Sequence, residues 1–425
     1  MSFDKVTVLL KRSMHISQAP FFAWVFAVSA QAAGAGVEKP DSLRNNGSAG
    51  NEIIESSYSS ANQVVSSWNK WVSSEVVYRG DFLAKQGGGG GYLGQMNLSL
   101  EFDLEKMGLW NGGMFYVRGE QSHGNWVTEH YAATFHIPSN LEAHDYTQLS
   151  EYWLEQTFAQ EKLTIRLGKQ EANEEFCAME FGEVLLLDAF GPTPVIPMAT
   201  FPVYGLGLSV FLRPVDGFKL AGGVFDGAGR GGQWGFSTAF DGTGGTFSIL
   251  EIGLEPAWAG SDELRDNFRL GLWSHSADLG PGDGNPLSTE SFESNYGVYV
   301  AIDKYLYAEP VTGNEEFQGL GAFATLGWTP SDHNELFSYI GVGLNYFGPF
   351  GGRDADIFSL GLAHTRVGKG LEKNLPHSHE TVLELGYTLQ VSSNFSLHQV
   401  VQYFVNPAAS GDNTVFGILS FELAL

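Results

Sequence analysis

The chain has a single cysteine, Cys177, so no intrachain disulfide can form. A lone cysteine is either a packed apolar group or a reactive nucleophile, and nothing around Cys177 marks it as the second. Charged residues are scarce, at 17% of the chain, against roughly 25% in an ordinary soluble domain. Basic residues are scarcer still. With 23 Lys and Arg against 48 Asp and Glu, the formal net charge is −25. That balance excludes nucleic acid as a partner, because a phosphate backbone needs a basic footprint. Beyond the first thirty residues no apolar run is long enough to span a bilayer as a helix. No Gly-x-Ser-x-Gly elbow is present. The glycine run Gly87–Gly91 has no following Lys-Ser/Thr, so it is no phosphate loop and reads as a hairpin connection.

Glycine and aromatics are plentiful instead, with 54 Gly and 13% aromatic residues over 425 positions. The N-terminus reads as an export signal. Lys5, Lys11 and Arg12 precede an apolar run from Ala19 to Ala30, and Ala30-Gln31-Ala32 supplies an A-x-A cleavage pattern. Cleavage after Ala32 removes three basic residues and one acidic residue and leaves −27. Such an excess fits either an acidic soluble surface or a pore that favours cations and neutral solutes.

Residues 33–74 form a separate N-terminal segment, flexible and rich in Gly, Asn and Ser from Gly36 to Asn51. From residue 75 to 425 apolar and polar residues alternate with period two. Leu419, Phe421, Leu423 and Leu425 alternate with Ser420, Glu422 and Ala424; Leu98, Leu100, Phe102 and Leu104 alternate with Asn97, Ser99, Glu101 and Asp103. Hydrophobic residues total 43%. An average value is what a membrane barrel with a wet interior gives, because its two faces cancel. Short connections such as Gln160–Lys162 and Ser392–Asn394 alternate with long ones such as Gln121–Leu149, Glu171–Tyr204, Asp226–Gly245 and Ser276–Asn295. This parity predicts an all-β, sixteen-stranded antiparallel transmembrane β-barrel. Its strands should begin near residues 76, 92, 114, 150, 163, 205, 218, 246, 267, 296, 319, 338, 356, 380, 395 and 415, with Tyr299–Tyr346 the least distinct stretch. Sixteen strands leave an aqueous channel.

Tyr92-Leu93-Gly94-Gln95-Met96-Asn97-Leu98, Glu151-Tyr152-Trp153-Leu154-Glu155-Gln156, Asn173-Glu174-Glu175-Phe176 and Phe201–Gly207 occur in an order that resembles the OprB-type carbohydrate-selective porin family. Arg213-Pro214, Val224–Gly227, Gly319–Pro330, Gly352–Asp356, Glu380–Leu385 and Gln402–Pro407 continue it, so the likeness covers roughly residues 75–425. The resemblance implies an outer-membrane porin for passive diffusion of small neutral sugars, embedded in outer-membrane lipid, without cofactor or energy coupling. By analogy with many sixteen-stranded porins it also suggests a homotrimer. The chain ends in Leu425, where outer-membrane barrels usually end in Phe or Trp.

A sugar offers hydroxyl rims and apolar CH faces, so a selective pore needs inward charged and aromatic residues at its narrowest point. Alternation points Arg79, Asp81, Arg118, Glu120, Glu151, Trp153, Glu155, Arg166, Arg213, Arg269 and Trp273 inward. The connection Glu171–Tyr204 carries Glu174, Glu175, Glu180 and Glu183, then the apolar run Val184–Leu187. Apolar residues in an external loop make sense if the loop folds into the barrel, which makes it the expected constriction loop. The alternative is an external loop packed on its neighbours. His377-Ser378-His379-Glu380 has the composition of a metal site but the spacing of a surface loop, and no metal is expected. Other readings are a cation-preferring general diffusion porin, a barrel enzyme with a nucleophile and His near the rim, and a secreted glycan-binding β-sandwich.

Overall fold

Along one strand the alternation becomes two unlike surfaces. Phe247, Ile249 and Glu251 are at most 4% exposed, while Leu250, Ile252 and Leu254 are 58%, 41% and 50% exposed. A soluble protein would not bury a glutamate and expose three aliphatic residues in one strand. A barrel in lipid does, because its outer solvent is hydrocarbon.

The computed structural model describes residues 71–124, 128, 133–227, 232, 244–258, 264–277, 294–309 and 317–425. The expected export signal, nearly all of segment 33–74 and most of the connections Asp226–Gly245 and Ser276–Asn295 lie outside the described residues.

The strands are β1 (Val72–Lys85), β2 (Gly90–Asp103), β3 (Gly113–Gly124), β4 (Tyr146–Phe158), β5 (Leu163–Gln170), β6 (Gly205–Val215), β7 (Phe218–Asp226) and β8 (Thr246–Leu254). They continue as β9 (Asn267–His275), β10 (Asn295–Ala308), β11 (Gly319–Trp328), β12 (Leu336–Phe347), β13 (Ile357–Val367), β14 (His379–Ser392), β15 (Phe395–Val405) and β16 (Thr414–Ala424). Each pairs antiparallel with its chain neighbours, and β1 pairs with β16 from Val77↔Ala424 to Lys85↔Phe416, closing the barrel. Closure leaves no edge to satisfy in lipid, and it replaces the two stacked sheets of the β-sandwich reading.

Sixteen strands were expected and sixteen form, including β10–β12 in the indistinct stretch. Three boundaries differ, one of them at β4, which starts at Tyr146 rather than near 150 because Tyr146 pairs with Ser122 of β3. β1 starts at Val72, inside the expected N-terminal segment, because Val72–Ser74 pairs with Leu100–Phe102 of β2. Gly90 and Gly91 belong to β2, leaving Gln86–Gly89 as the hairpin. Gly87, Gly88 and Gly89 all have positive φ there, which glycine adopts without strain.

Exposed aromatic residues mark both ends of the outer surface, Tyr296 and Trp328 at the long-loop end and Phe158, Tyr307 and Phe350 at the other. Between them the outer wall is mainly Leu, Val and Ile.

Candidate functional site

The connection from β5 to β6 does not stay outside. Phe176, Cys177, Met179, Phe181, Val184, Leu185 and Phe190 are each at most 1% exposed and pack on the inner wall. Phe181 meets Tyr305 edge to face at 5.2 Å, and Phe190 meets Phe323 at 5.5 Å. The glycines Gly321 and Gly361 make room, since a Cβ at either would lie 2.5 Å from Phe181 or Leu185. The apolar run is therefore buried by the barrel itself.

A loop inside a barrel must still satisfy its backbone N–H groups. Wall carboxylates do this. Glu251 on β8 accepts from Cys177 N at 2.9 Å; Asp303 on β10 accepts from Glu180 N and Phe181 N at 3.2 and 3.0 Å; Glu384 on β14 accepts from Leu186 N and Leu187 N at 2.7 and 2.9 Å. The β3–β4 connection is held in the same way. Glu380 accepts from Phe135 N and His136 N at 3.0 and 2.8 Å, and Asp81 accepts from Ser139 Oγ at 2.6 Å. Hydrogen bonds to an ionised acceptor are worth about 1.5–3 kcal/mol each. A good part of the acidic excess is thus structural, and Asp81 serves as a loop anchor in the wall of the lumen.

The folded loop leaves a lumen of about 1090 Å³. Arg118 on β3 pairs with Glu151 at 2.7 Å, Glu171 at 3.0 Å and Glu174 at 3.2 Å. Arg166 on β5 pairs with Glu155 at 2.9 Å and Glu175 at 3.1 Å, and Lys219 on β7 pairs with Glu175 at 3.0 Å. Arg79 pairs with Glu422 at 2.6 Å. The loop thus docks three glutamates, Glu171, Glu174 and Glu175, onto a row of wall cations. Burial works to raise the Glu175 carboxyl, but Lys219 and Arg166 outweigh it and hold the group at about 2. Glu174 is raised, by burial and then by Glu151, with Arg118 opposing. Glu183 is also raised, by burial and then by the charges of Asp303 and Glu171, against Arg269 and Arg79.

The lumen lining includes Arg79, Asp81, Arg118, Glu120, Trp153, Arg166, Arg213 and Arg269 from the strands, and Glu174 and Glu175 from the β5–β6 connection. Glu151 is fully buried behind Arg118, and Glu155 props Arg166. Glu120 is engaged by Tyr204 at 2.6 Å and Gln148 at 2.8 Å. Two aromatic expectations change. Trp153 is only 6% exposed, with one face stacked on Tyr116 at 4.8 Å and the other under the Arg166 guanidinium at 4.0 Å. It supports the arginine while still lining the lumen, beside Tyr116. Trp273 points inward but is 3% exposed among Phe247 and its neighbours, away from the lumen. Sequence reasoning missed Tyr116, Glu171 and Lys219. Alternation alone could have named Tyr116 and Lys219, which share faces with Arg118 and Ala221.

Other chemistry is weakly supported. His379 and Glu380 are consecutive strand residues and point to opposite faces, Glu380 inward to the β3–β4 loop and His379 Nε2 to Asn406 at 3.0 Å. Among the described residues the one group with metal-ligand spacing is Glu151, Glu171 and Glu174, whose oxygens lie within 4.8 Å of one another. Arg118 pairs with all three, so the group is already held by a protein cation. Burial, and then Glu251, push the Cys177 thiol up to about 12, which makes it an inert core group.

The family profile described as "Carbohydrate-selective porin, OprB family" matches residues 88–424. Porin B of Pseudomonas aeruginosa is 24% identical over 327 residues, 70% of this chain and 71% of that protein. Among solved structures, the high-pH form of Pseudomonas putida OprB superposes with a TM-score of 0.72 at 21% identity, covering 84% of this chain and 94% of the other. The low-pH form gives 0.56 at 16% identity, covering 85% and 98%. At these identities the structural likeness is one of fold.

Proposed function

Because the chain belongs to the OprB family of carbohydrate-selective porins and is an outer-membrane porin for sugars, we propose that the Arg118–Arg166 row facing Glu174 and Glu175 is its sugar-selective constriction. The observation that carries this reading is the docked loop. It sets guanidinium donors and carboxylate acceptors around one aqueous passage, with Tyr116 and Trp153 holding the plane of Arg166. Hydroxyl groups exchange partners along such a row without deep binding, as passive diffusion requires. Residues 1–32 serve as the export signal, and no step of passage needs a cofactor.

The experiment is liposome swelling with the mature protein, comparing glucose, a disaccharide and a neutral amino acid the size of glucose. Faster entry of glucose than of the amino acid supports a sugar-selective constriction. Entry ordered by size alone rejects it.

A second reading concerns charge. Among the described residues the lumen lining holds fourteen acidic and seven basic side chains. That excess supports a preference for cations over anions alongside sugar passage.

The outer surface favours a homotrimer. On the outer wall of β1–β3, Tyr78 faces outward with its hydroxyl bonded to that of Tyr92 on β2 and 3.4 Å from His123 Nε2 on β3, and His123 Nδ1 meets Gln121 at 3.0 Å. Polar groups facing hydrocarbon are costly. Gly80, Gly94 and Gly119 flatten the same strip, which is the polar, low-relief surface that other copies of a barrel would cover.

A further inference from the structure

On the side of the lumen away from Arg118 and Arg166, inward positions of neighbouring strands carry small hydrogen-bonding groups. Ser359 on β13 stands opposite Gly386 on β14, Thr388 on β14 opposite His398 on β15, and His398 opposite Ser420 on β16. Gly386 is where they converge. A Cβ there would lie 2.4 Å from Ser359 Oγ and 2.6 Å from His398 Nε2, so both atoms reach over the glycine and stand within about 5 Å of each other. Ser359 is 1% and His398 7% exposed. Ser359 Oγ, His398 Nε2 and Thr388 Oγ1 have no hydrogen-bond partner among the described residues, and Thr388 and His398 line the lumen. Two residues before Gly386 in the same strand, Glu384 holds the constriction loop. The niche therefore lies directly beneath the loop crossing, toward the short-turn end of the barrel.

Buried polar atoms without partners are unfavourable, and native proteins keep few of them. An imidazole nitrogen and a hydroxyl at this separation suit one bridging hydroxyl group, which donates to one and accepts from the other. We propose that Ser359, Thr388 and His398 form an uncharged hydroxyl-binding subsite, built around Gly386, for a neutral sugar that has passed the constriction loop. The proposal rests on the reading of the chain as a sugar pore. None of the three side chains is a carboxylate, ammonium or guanidinium, so the niche discriminates by hydroxyl geometry where the arginine row discriminates by charge-assisted bonds. Its contacts are few, and a sugar held by one or two neutral hydrogen bonds leaves readily.

The test is single-channel recording of the full-length mature protein with D-glucose, beside liposome entry of glutamine as a neutral non-sugar. Thr388→Val keeps the shape and removes a hydroxyl. His398→Ala removes the imidazole. Gly386→Ala fills the niche and keeps both groups. In each variant glucose-induced current blocks should shorten by about two- to tenfold, the range for loss of one hydrogen bond. Potassium conductance, glutamine entry and heat-modified gel mobility should be unchanged. Unaltered glucose blocks in all three variants would overturn the subsite and leave the niche to structural water. Failure of glucose to block or enter even the unaltered protein would overturn the sugar-pore reading itself, a result distinguishable by the intact channel conductance.

Discussion

The guanidinium of Arg166 lies 4.0 Å above the ring of Trp153, whose opposite face stacks on Tyr116 at 4.8 Å. The stack fixes the plane of the arginine while Glu155 and Glu175 fix its edge. Cation–π contact of this kind is worth about 0.5–2 kcal/mol. Arg166→Ala should bring glucose entry down several-fold toward that of a size-matched amino acid, and should raise cation preference because Glu155 and Glu175 lose a counter-charge. Trp153→Leu should weaken glucose selection with ion preference unchanged. Liposome swelling and reversal potentials read the two effects separately, and an Arg166→Ala pore that still favours glucose would remove Arg166 from the selective set.

Glu384 clamps the constriction loop through two backbone N–H groups. Glu384→Gln keeps the volume but turns one acceptor into a donor aimed at another donor. The expected cost is about 1–3 kcal/mol, seen as a lower temperature for the heat-induced gel shift and as noisier open-channel current. Unchanged thermal behaviour would show that apolar packing alone seats the loop.

Proton uptake at the constriction should tune ion preference. Burial, then Asp303 and Glu171, raise Glu183 to about 7 against the pull of Arg269 and Arg79. Its side chain opens on the lumen, so water moderates the shift and the midpoint falls between 4.5 and about 7. The group is an acid, so it is neutral below that window and negative above it. Potassium-over-chloride permeability should rise as pH increases through the window, with glucose entry little affected. Glu175, held at about 2, stays ionised throughout. Glu183→Gln should reduce the slope, with Glu174 and Glu180, which are also raised, keeping part of it; a profile of equal slope in the variant would assign the titration elsewhere.

Gly119 tests the homotrimer. A Cβ there meets nothing within 4 Å in its own chain. Gly119→Trp should therefore fold as a barrel but fail to assemble, giving monomers by light scattering in detergent, whereas Gly119→Ala should stay trimeric. A trimeric Gly119→Trp protein would move the interface away from β1–β3.

The barrel was legible because lipid and water impose opposite demands on alternate residues, and a period-two pattern records both. Arg118, Arg166 and Glu120 could be placed on the inner face from Val117, Ile165 and Leu167 alone. The same logic named the Glu171–Tyr204 connection, since Val184–Leu187 needed somewhere dry. The work of each inward residue was not legible. Glu251, Asp303 and Glu384 read as lumen charges, yet their partners are backbone N–H groups of a loop up to 198 positions distant in sequence.

The sequence by itself determined the strand count, the facing of most strand residues and the acidic balance, because these follow from local alternation and composition. Only the tertiary structure decided which carboxylates anchor loops and which face the passage, that Trp153 supports Arg166, and that Ser359 and His398 converge on Gly386. Those outcomes depend on closing the barrel and threading a loop through it. Such steps bring distant residues within hydrogen-bond range, where one or two ångströms separate an anchor from a free charge.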